Sequence, residues 1–356
     1  MRQLRRLPLT PRPINGEILS SWMARVSAVN GISIPELIEY AGGAGNSDFP
    51  PVDRDVPRPL IAGLALACSI PDYKLAEIDL RVQFPNAQAS FFLPVEKMAP
   101  NCYNHSAIPI PYCHACFSEH ERKGTTPFWK AEWTMAHVTR CPKHLFGLWA
   151  YCHHCLCGRL SVVAHTKHGG LVARCTSCYR APAAHLLESA EKTFSRNQLV
   201  ASMGQSLTLA CRGLDPDPIW LGRINAATFL SVLDDMMWIF LDANLDRGFP
   251  LISRCAPATY YELAGIGLPF PSCPFNLLTF HHREMVIAAI AIALVGGRIT
   301  VLKTCFPVPA SELDAYPFSS IRRSSNQDSH SEIVDRIGRW PAPLKERALR
   351  YLPAFA

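Results

Sequence analysis

Cys113-His-Ala-Cys116, Cys141-Pro-Lys-His144, Cys152-His-His-Cys155 and Cys175-Thr-Ser-Cys178 are four ligand pairs that follow one another in the middle of the chain. Two residues separate the ligands of each pair, and this spacing lets a tight turn direct both side chains at one ion. Four pairs supply two tetrahedral zinc sites, one with three cysteines and a histidine and one with four cysteines. We therefore expect two structural Zn²⁺ ions to hold this proline-rich region in shape.

The ligands divide between two predicted sites. The first site uses Cys113, Cys116, Cys141 and His144, and the second uses Cys152, Cys155, Cys175 and Cys178. Cys157 is an alternative to Cys152, and His153 and His154 are further donors nearby. Four protein ligands leave no position on the zinc for a water molecule, so no enzymatic activity is expected. The other cysteines lack partners at ligand spacing and are predicted to lie in the core: Cys68, Cys102, Cys211, Cys255, Cys273 and Cys305.

The composition is that of a folded protein with two or three domains. Of the 356 residues, 49% are hydrophobic and 18% are charged, which argues against a disordered chain. The basic N-terminus runs directly into prolines without the apolar segment of a secretion signal. A reducing cytoplasm, with metal-bound thiolates in the four ligand pairs, is therefore expected for this chain of 14 cysteines. The longest apolar run, Met285–Val295, is too short to span a membrane, so no membrane partner is expected.

The net charge of +6 is matched by the local excess of positive charge over residues 101–180. That segment has nine basic residues, Arg122, Lys123, Lys130, Arg140, Lys143, Arg159, Lys167, Arg174 and Arg180, against three acids, Glu119, Glu121 and Glu132. Such an excess suits a nucleic-acid partner. It equally suits cations that offset the negative charge of zinc-bound thiolates, and the sequence leaves both interpretations open.

The N-terminal part of the chain predicts a small helical domain behind a basic arm. An apolar stripe predicts a helix over Gly16–Asn30, which Asn30-Gly31 would end. Ser33 and Glu36 then form a capping box for a second helix that runs to about Tyr40. This pair is similar to a helix-turn-helix. Two further helices are predicted over Pro59–Ser69 and Pro71–Arg81.

The remainder of the chain is predicted to be helical. Asn225–Leu245 and Leu277–Leu294 have apolar residues at helical spacing. The predicted fold class is therefore mainly α with small zinc-ribbon β elements. The predicted domains are a basic arm (1–13), a helix-turn-helix-like α domain (14–100), a double zinc-binding module (101–188) and a C-terminal helical domain (189–356).

Several motifs together resemble a known family. Ile110-Pro-Tyr-Cys113-His-Ala-Cys116 is followed by Phe128-Trp-Lys-Ala-Glu-Trp133, Val138-Thr-Arg-Cys141-Pro-Lys-His144 and Tyr151-Cys152-His-His-Cys155. This order closely resembles the TniQ/TnsD family of transposon target-selection proteins. The N-terminal motifs Leu7-Pro-Leu, Glu17-Ile-Leu-Ser-Ser-Trp22-Met-Ala-Arg25-Val and Asn30-Gly31 look like that family's opening helix. The motifs span roughly residues 7–180, about half of the chain.

The resemblance implies a role as well as a fold. It implies an N-terminal helix-turn-helix domain, a zinc-ribbon-like middle and a helical C-terminal region. Proteins of this family direct a transposase to its insertion site by contacting DNA or a guide-RNA effector complex, and they recruit an AAA+ ATPase. In CRISPR-associated transposons the relatives sit as a dimer on the Cascade complex, so a homodimer in the bacterial cytoplasm is an expected state. A Cys-x-Cys-Gly pair also occurs in relatives, which keeps Cys157 open as a ligand.

Candidate contact residues flank the zinc motifs. Phe128, Trp129 and Trp133 lie on a predicted helix over Phe128–His137, where packing in the module is favoured over stacking on bases. Lys130, Arg140 and Lys143 are candidates for phosphate contact, which needs only reach and charge. Arg2, Arg5, Arg6 and Arg12 would form a groove- or RNA-contacting arm or a solvated tail.

The sequence favours one of three classes of function. A non-enzymatic adaptor for DNA transposition is favoured, and a zinc-dependent helix-turn-helix transcription regulator is the alternative. An enzyme is disfavoured because the chain has no Gly-x-x-x-x-Gly-Lys-Ser/Thr loop for ATP. The acids Asp234, Asp235, Asp242 and Asp246 also lie on or beside a predicted helix, and not on strands that would bring them together around metal ions.

Overall fold

The structure is a computed structural model that describes residues 6–42, 53–54, 56–93, 110–152, 154–155, 160–164, 170–182, 194–244, 275–277, 280–295, 334–342 and 344–346. The chain divides into two compact units. Unit one comprises Met1–Ala87, Pro94–Met135 and Phe146–Ala190, and unit two comprises Gln88–Leu93, Ala136–Leu145 and Glu191–Ala356. The predicted domain boundaries at residues 100 and 188 stay a prediction.

Unit one begins with the helix pair that the sequence predicts. Helix α1 spans Leu19–Asn30 and helix α2 spans Ile34–Tyr40. Gly31 ends α1 in the left-handed conformation (φ 66°), which glycine adopts without steric cost. The Ser33 hydroxyl accepts a hydrogen bond from the Glu36 amide, and the Glu36 carboxylate accepts one from the Ser33 amide. The capping box, the end of α1 and the bounds of α2 are therefore confirmed, whereas α1 begins at Leu19 and not at Gly16, because Glu17 pairs with Lys130 in a β-bridge.

Three more helices complete the N-terminal core: α3 (Arg58–Cys68), α4 (Asp72–Ala76) and α5 (Leu80–Gln83). The single helix predicted over Pro71–Arg81 is wrong, because the chain turns after Ala76 and the Leu80 amide donates to the Asp53 carbonyl oxygen. Gly63 marks the closest approach of α3 to the end of α2, where a Cβ atom would overlap the Ala41 carbonyl oxygen. Cys68, predicted to lie in the core, is buried.

The zinc-motif region of unit one combines one helix, a short 3₁₀ turn and a hairpin. Helix α6 spans His114–Lys123, the 3₁₀ turn spans Ala131–Thr134, and strands β1 (Leu160–Ala164) and β2 (Leu171–Cys175) pair antiparallel. The helix predicted over Phe128–His137 is wrong. The Trp133 and Met135 amides donate to carbonyl oxygens three residues back, and the Ala136 amide donates to the Phe91 carbonyl oxygen, so these amides do not form the hydrogen bonds of an α-helix.

Unit two is helical in its described residues. It contains a 3₁₀ turn (Ala89–Phe91), α7 (Phe194–Cys211), α8 (Ala226–Asn244), a second 3₁₀ turn (Phe275–Leu277) and α9 (Phe280–Val295), with residues 334–338 also helical. Helices α7, α8 and α9 pack on one another. Of the apolar positions that predict α8, five are buried, Phe229, Val232, Leu233, Met236 and Met237, and the side chains of Phe240 and Leu241 lie outside the described residues. The predicted core residue Cys211 is buried as well, whereas Cys102, Cys255, Cys273 and Cys305 lie outside the described residues.

The described residues confirm a mainly helical fold with one small two-stranded sheet. The helix-turn-helix assignment of α1 and α2 stays a prediction. Within the same residues, no helix combines the length and the apolar character that a membrane crossing requires.

Candidate metal centres

The first cluster brings together Cys113, Cys116, Cys141 and His144, whose ligand atoms all lie within 4.8 Å of one another. Cys113 directly precedes helix α6 and Cys116 lies in its first turn. On the second knuckle, the Cys141 sulfur lies 3.6 Å from Nδ1 of His144. The three cysteines are buried.

The second cluster brings together Cys152, Cys155, Cys175 and Cys178, again within 4.8 Å. Its sulfur atoms form two cross-pairs, Cys152 with Cys178 at 3.7 Å and Cys155 with Cys175 at 3.6 Å. Backbone amides point at these sulfurs: the His154 amide donates to Cys152, and the Ser177 and Cys178 amides donate to Cys175. This is the arrangement of two turns that face one ion.

The distances fit zinc and exclude disulfides. Tetrahedral zinc with Zn–S bonds near 2.3 Å separates two sulfur ligands by about 3.8 Å, whereas a disulfide bond is about 2.05 Å long. The cross-pairs at 3.6 and 3.7 Å match the zinc geometry. Burial also raises the pKa of the Cys175 thiol to about 12, so its ionised form needs a cation beside it. Each cluster can hold a metal ion, and the donor set is one that zinc takes.

Two of the alternative metal donors near the second cluster, Cys157 and His153, lie outside the described residues. Cys152 lies in the second cluster, as predicted, and the choice of Cys152 over Cys157 as the ligand stays a prediction. Among the described residues, no third group of histidines, cysteines or acids has metal-ligand spacing.

Aromatic side chains fill the space beside helix α6. The Phe117 ring contacts Trp129 at 4.8 Å and Trp133 at 5.8 Å between ring centroids. Both tryptophans are completely buried, and Phe128 stacks on His120 of α6. The two tryptophans therefore pack in the interior, and the half-buried Phe128 packs on α6.

A buried polar network joins this aromatic cluster to helix α1. The Arg25 guanidinium forms an ion pair with the Glu17 carboxylate, and both side chains are buried. The Ser21 hydroxyl donates to Glu17 at 2.8 Å and accepts from the Trp129 amide at 3.0 Å. The Glu17–Lys130 β-bridge lies beside it. The start of α1 and the tryptophan segment therefore share one hydrogen-bonded interior.

The comparison with protein families agrees with this arrangement. The TniQ family model matches residues 8–148, which include α1, the polar network and the whole first cluster. The chain carries a TniQ domain. The resemblance predicted from the motifs is thereby confirmed, and the match supports a role associated with transposition. No curated protein matches this chain.

Three motif residues of the TniQ domain bind the backbone of the N-terminal arm. The Trp22 indole donates to the Pro11 carbonyl oxygen and Arg25 to the Arg12 carbonyl oxygen, each at 2.8 Å. The Asn30 side chain both donates to and accepts from the backbone of Leu9. The arm is therefore fixed on α1 from Leu9 to Arg12, a role that the sequence motif alone did not indicate.

The predicted cationic contacts of the TniQ domain occupy different environments. Arg6 and Arg12 are exposed, whereas Arg2 and Arg5 lie outside the described residues. Lys143 is exposed as well, and Lys130 lies over the Trp133 ring and near Glu132. The Arg140 guanidinium binds the Glu284 carboxylate at 2.6 Å and the Leu145 carbonyl oxygen at 3.0 Å. Their nucleic-acid contacts stay a prediction.

Two exposed tyrosines beside the second cluster were missed at the sequence level. Tyr151 directly precedes Cys152 and Tyr179 directly follows Cys178, and their exposed fractions are 45% and 75%. A signal was present in the sequence. The position after the second cysteine of a knuckle often needs the left-handed conformation that glycine favours, and here it is a tyrosine.

Proposed function

We propose that the protein is a non-enzymatic target-selection adaptor for DNA transposition. It links a target-recognition element, either DNA or a guide-RNA Cascade complex, to an AAA+ ATPase and the transposase. The observation that carries this proposal is the TniQ domain match over residues 8–148. Two structural zinc ions on the eight clustered ligands fix the middle of the adaptor, which acts in the bacterial cytoplasm, with a homodimer as its expected state.

The environment of the acidic residues supports a role without catalysis. Asp235 accepts hydrogen bonds from Arg336 at 3.0 Å, Arg339 at 3.2 Å and the Trp340 indole at 3.3 Å. This buried carboxylate is engaged in holding residues 334–340 on α8 through three donors. Each metal cluster has four protein ligands, which is the closed coordination of structural zinc.

The charge of helix α2 favours the adaptor over the transcription regulator. In a helix-turn-helix, the second helix enters the major groove and is surrounded by phosphates. Helix α2 contains no lysine or arginine, and it exposes Glu36 and Glu39. Hydrogen bonds from Ser33 hold the pKa of Glu36 below its ordinary value, so this face keeps its negative charge. Such a face suits a protein partner better than DNA.

Co-purification and footprinting separate the two functions. The adaptor should co-purify with an AAA+ ATPase, and deletion of its gene should abolish targeted insertion in a transposition assay. A regulator would instead protect a palindromic site on duplex DNA without any partner. A footprint of that kind, together with normal insertion in the deletion strain, would refute the proposed function.

A further inference from the structure

Tyr179 has a backbone conformation that a bulky residue rarely adopts. Its φ is 58°, in the left-handed region that favours glycine. Its amide donates to the Cys175 carbonyl oxygen at 3.0 Å and so closes the knuckle of the second cluster. The side chain is 75% exposed, so little burial offsets the cost of this conformation. The fold alone gives no reason for a tyrosine here.

The first cluster provides an internal comparison. Leu145 follows His144 as Tyr179 follows Cys178, with a φ of 59° and an amide that donates to the Cys141 carbonyl oxygen at 2.7 Å. Leu145 is half-buried, so its packing offsets the cost of the conformation. At the same backbone position, the side chain is therefore half-buried in the first cluster (Leu145) and exposed in the second (Tyr179).

Tyr179 belongs to a group of exposed rings. We call Trp149, Tyr151 and Tyr179, which are 46%, 45% and 75% exposed, the aromatic edge. The two tyrosines adjoin Cys152 and Cys178, whose sulfurs are 3.7 Å apart, so their backbones meet at the second cluster. Tyr112 fixes the other end of the edge, because its backbone pairs with Trp149 and its hydroxyl donates to the Tyr151 carbonyl oxygen.

The edge has a cation beside it. Arg180 follows Tyr179 and is exposed, and its carbonyl oxygen accepts from the Cys175 amide at 3.0 Å. The surrounding segment, residues 101–180, carries the basic excess of the chain. Exposed aromatic rings with adjacent cations are the combination that binds single strands, because unpaired bases stack on the rings while phosphates contact the cations. Paired bases cannot stack in this way.

We propose that the aromatic edge binds single-stranded DNA, with bases stacked on Tyr179 and Tyr151 and a phosphate at Arg180. The choice of DNA rests on the proposed function, in which DNA is the target of insertion. The inference deepens that function by placing the contact on the second metal cluster, at residues outside the positions matched by the TniQ model.

Fluorescence anisotropy with a dye-labelled single-stranded DNA of mixed sequence tests the proposal on the full zinc-loaded chain. Tyr179→Gly keeps a residue that accepts the backbone conformation, and it should weaken binding about tenfold or more, as expected for the loss of one base–ring stack. Tyr179→Phe should bind within about twofold of the wild type, because its ring still stacks. Tyr73→Ala is the matched control, since Tyr73 is 59% exposed on α4 and should leave affinity unchanged.

Three further arms separate the alternatives. A wild-type chain without affinity for the single strand, equal affinity of Tyr179→Gly and wild type, or an equal loss on a matched duplex would each overturn the proposal. A strong preference for RNA of the same sequence would overturn the choice of DNA. If Tyr179→Gly binds DNA normally but no longer co-purifies with the ATPase, the edge is a protein interface, and the adaptor function survives without this inference.

Discussion

The two ligand clusters have similar donor atoms but differ in how far their ligands and neighbouring side chains are exposed. In the first, Cys113, Cys116 and Cys141 are buried, and aromatic rings pack beside helix α6. In the second, Cys155 and Cys178 are half-buried, and the neighbouring tyrosines face outward. The first cluster lies beside a fully buried aromatic interior, whereas the second lies between the exposed tyrosines and the buried strand residues Leu160 and Val162. A bound metal ion would reinforce the interior in the first case and would hold the exposed turns on the strands in the second.

Substitution of a metal-binding cysteine should have the largest effect on stability, and this effect should differ between the two clusters. Loss of a structural zinc removes folding energy on the order of 10 kcal/mol, comparable with the whole stability of a domain. Cys116→Ser should therefore unfold much of the TniQ domain, and Cys178→Ser should disturb mainly the β1–β2 hairpin and its turns. Zinc content by mass spectrometry and circular dichroism measure both outcomes.

The wild-type protein provides the reference for that experiment. It should contain two zinc ions per chain, and a chelator should release the ion of the second cluster first, because Cys155 and Cys178 are partly exposed. Fewer than two ions in the wild type would refute the two-site arrangement. Equal loss of helix signal in both variants would contradict the contrast between the clusters.

The buried ion pair between Glu17 and Arg25 should have the next largest effect on stability. Arg25→Met leaves the Glu17 carboxylate buried without its cation and should lower the free energy of unfolding by about 3–5 kcal/mol. Urea denaturation measures this loss, and zinc content should stay at the wild-type value. Lys74→Ala is the matched control, because Lys74 and Glu77 form an exposed pair whose removal should change little. A small effect of Arg25→Met would show that the network contributes little.

Glycine substitutions at the two left-handed residues, Tyr179 and Leu145, should have smaller effects on stability, and these effects should differ from each other. Tyr179→Gly relieves about 1 kcal/mol of backbone strain and loses little burial, so stability should stay the same or rise slightly. Leu145→Gly gains the same relief but loses packing of a half-buried side chain, about 1–2 kcal/mol, and should not be stabilised. Thermal denaturation of the two zinc-loaded variants compares them directly. A destabilised Tyr179→Gly protein would mean that the ring supports the fold.

The smallest effect is expected at the alternative ligand of the second cluster. Cys157→Ser should leave two zinc ions per chain, whereas Cys152→Ser should leave one, because Cys152 lies within the cluster. Metal analysis of the two purified variants distinguishes them. The reverse result would assign Cys157 as the ligand.

Local signals made part of the structure predictable from the sequence. The ends of α1 and α2 follow from Gly31 and from the Ser33–Glu36 box, because capping acts within a few residues. The eight clustered ligands were identified from spacing within each knuckle, and the paired order of the knuckles matches the two clusters.

Contacts between distant segments were not predictable in this way. The Phe128–His137 segment has aromatic residues at helical spacing, yet its Ala136 amide donates to the carbonyl oxygen of the distant Phe91. No local pattern encodes such a pairing. The Glu17–Arg25 network was missed for the same reason, since a charged pair in an apolar stripe has the sequence pattern of an exposed helix face. The exposure of Tyr179 likewise depends on which way its knuckle turns.

The grip of α1 on the N-terminal arm has a consequence for how this protein can evolve. Trp22, Arg25 and Asn30 bind the arm through its main-chain atoms, which every amino-acid sequence supplies except at a proline nitrogen. The side chains of Leu9 and Arg12 are exposed, so selection can replace them without loosening the arm. Substitutions in this segment can therefore change its exposed side chains one by one while the main-chain attachment to α1 is retained.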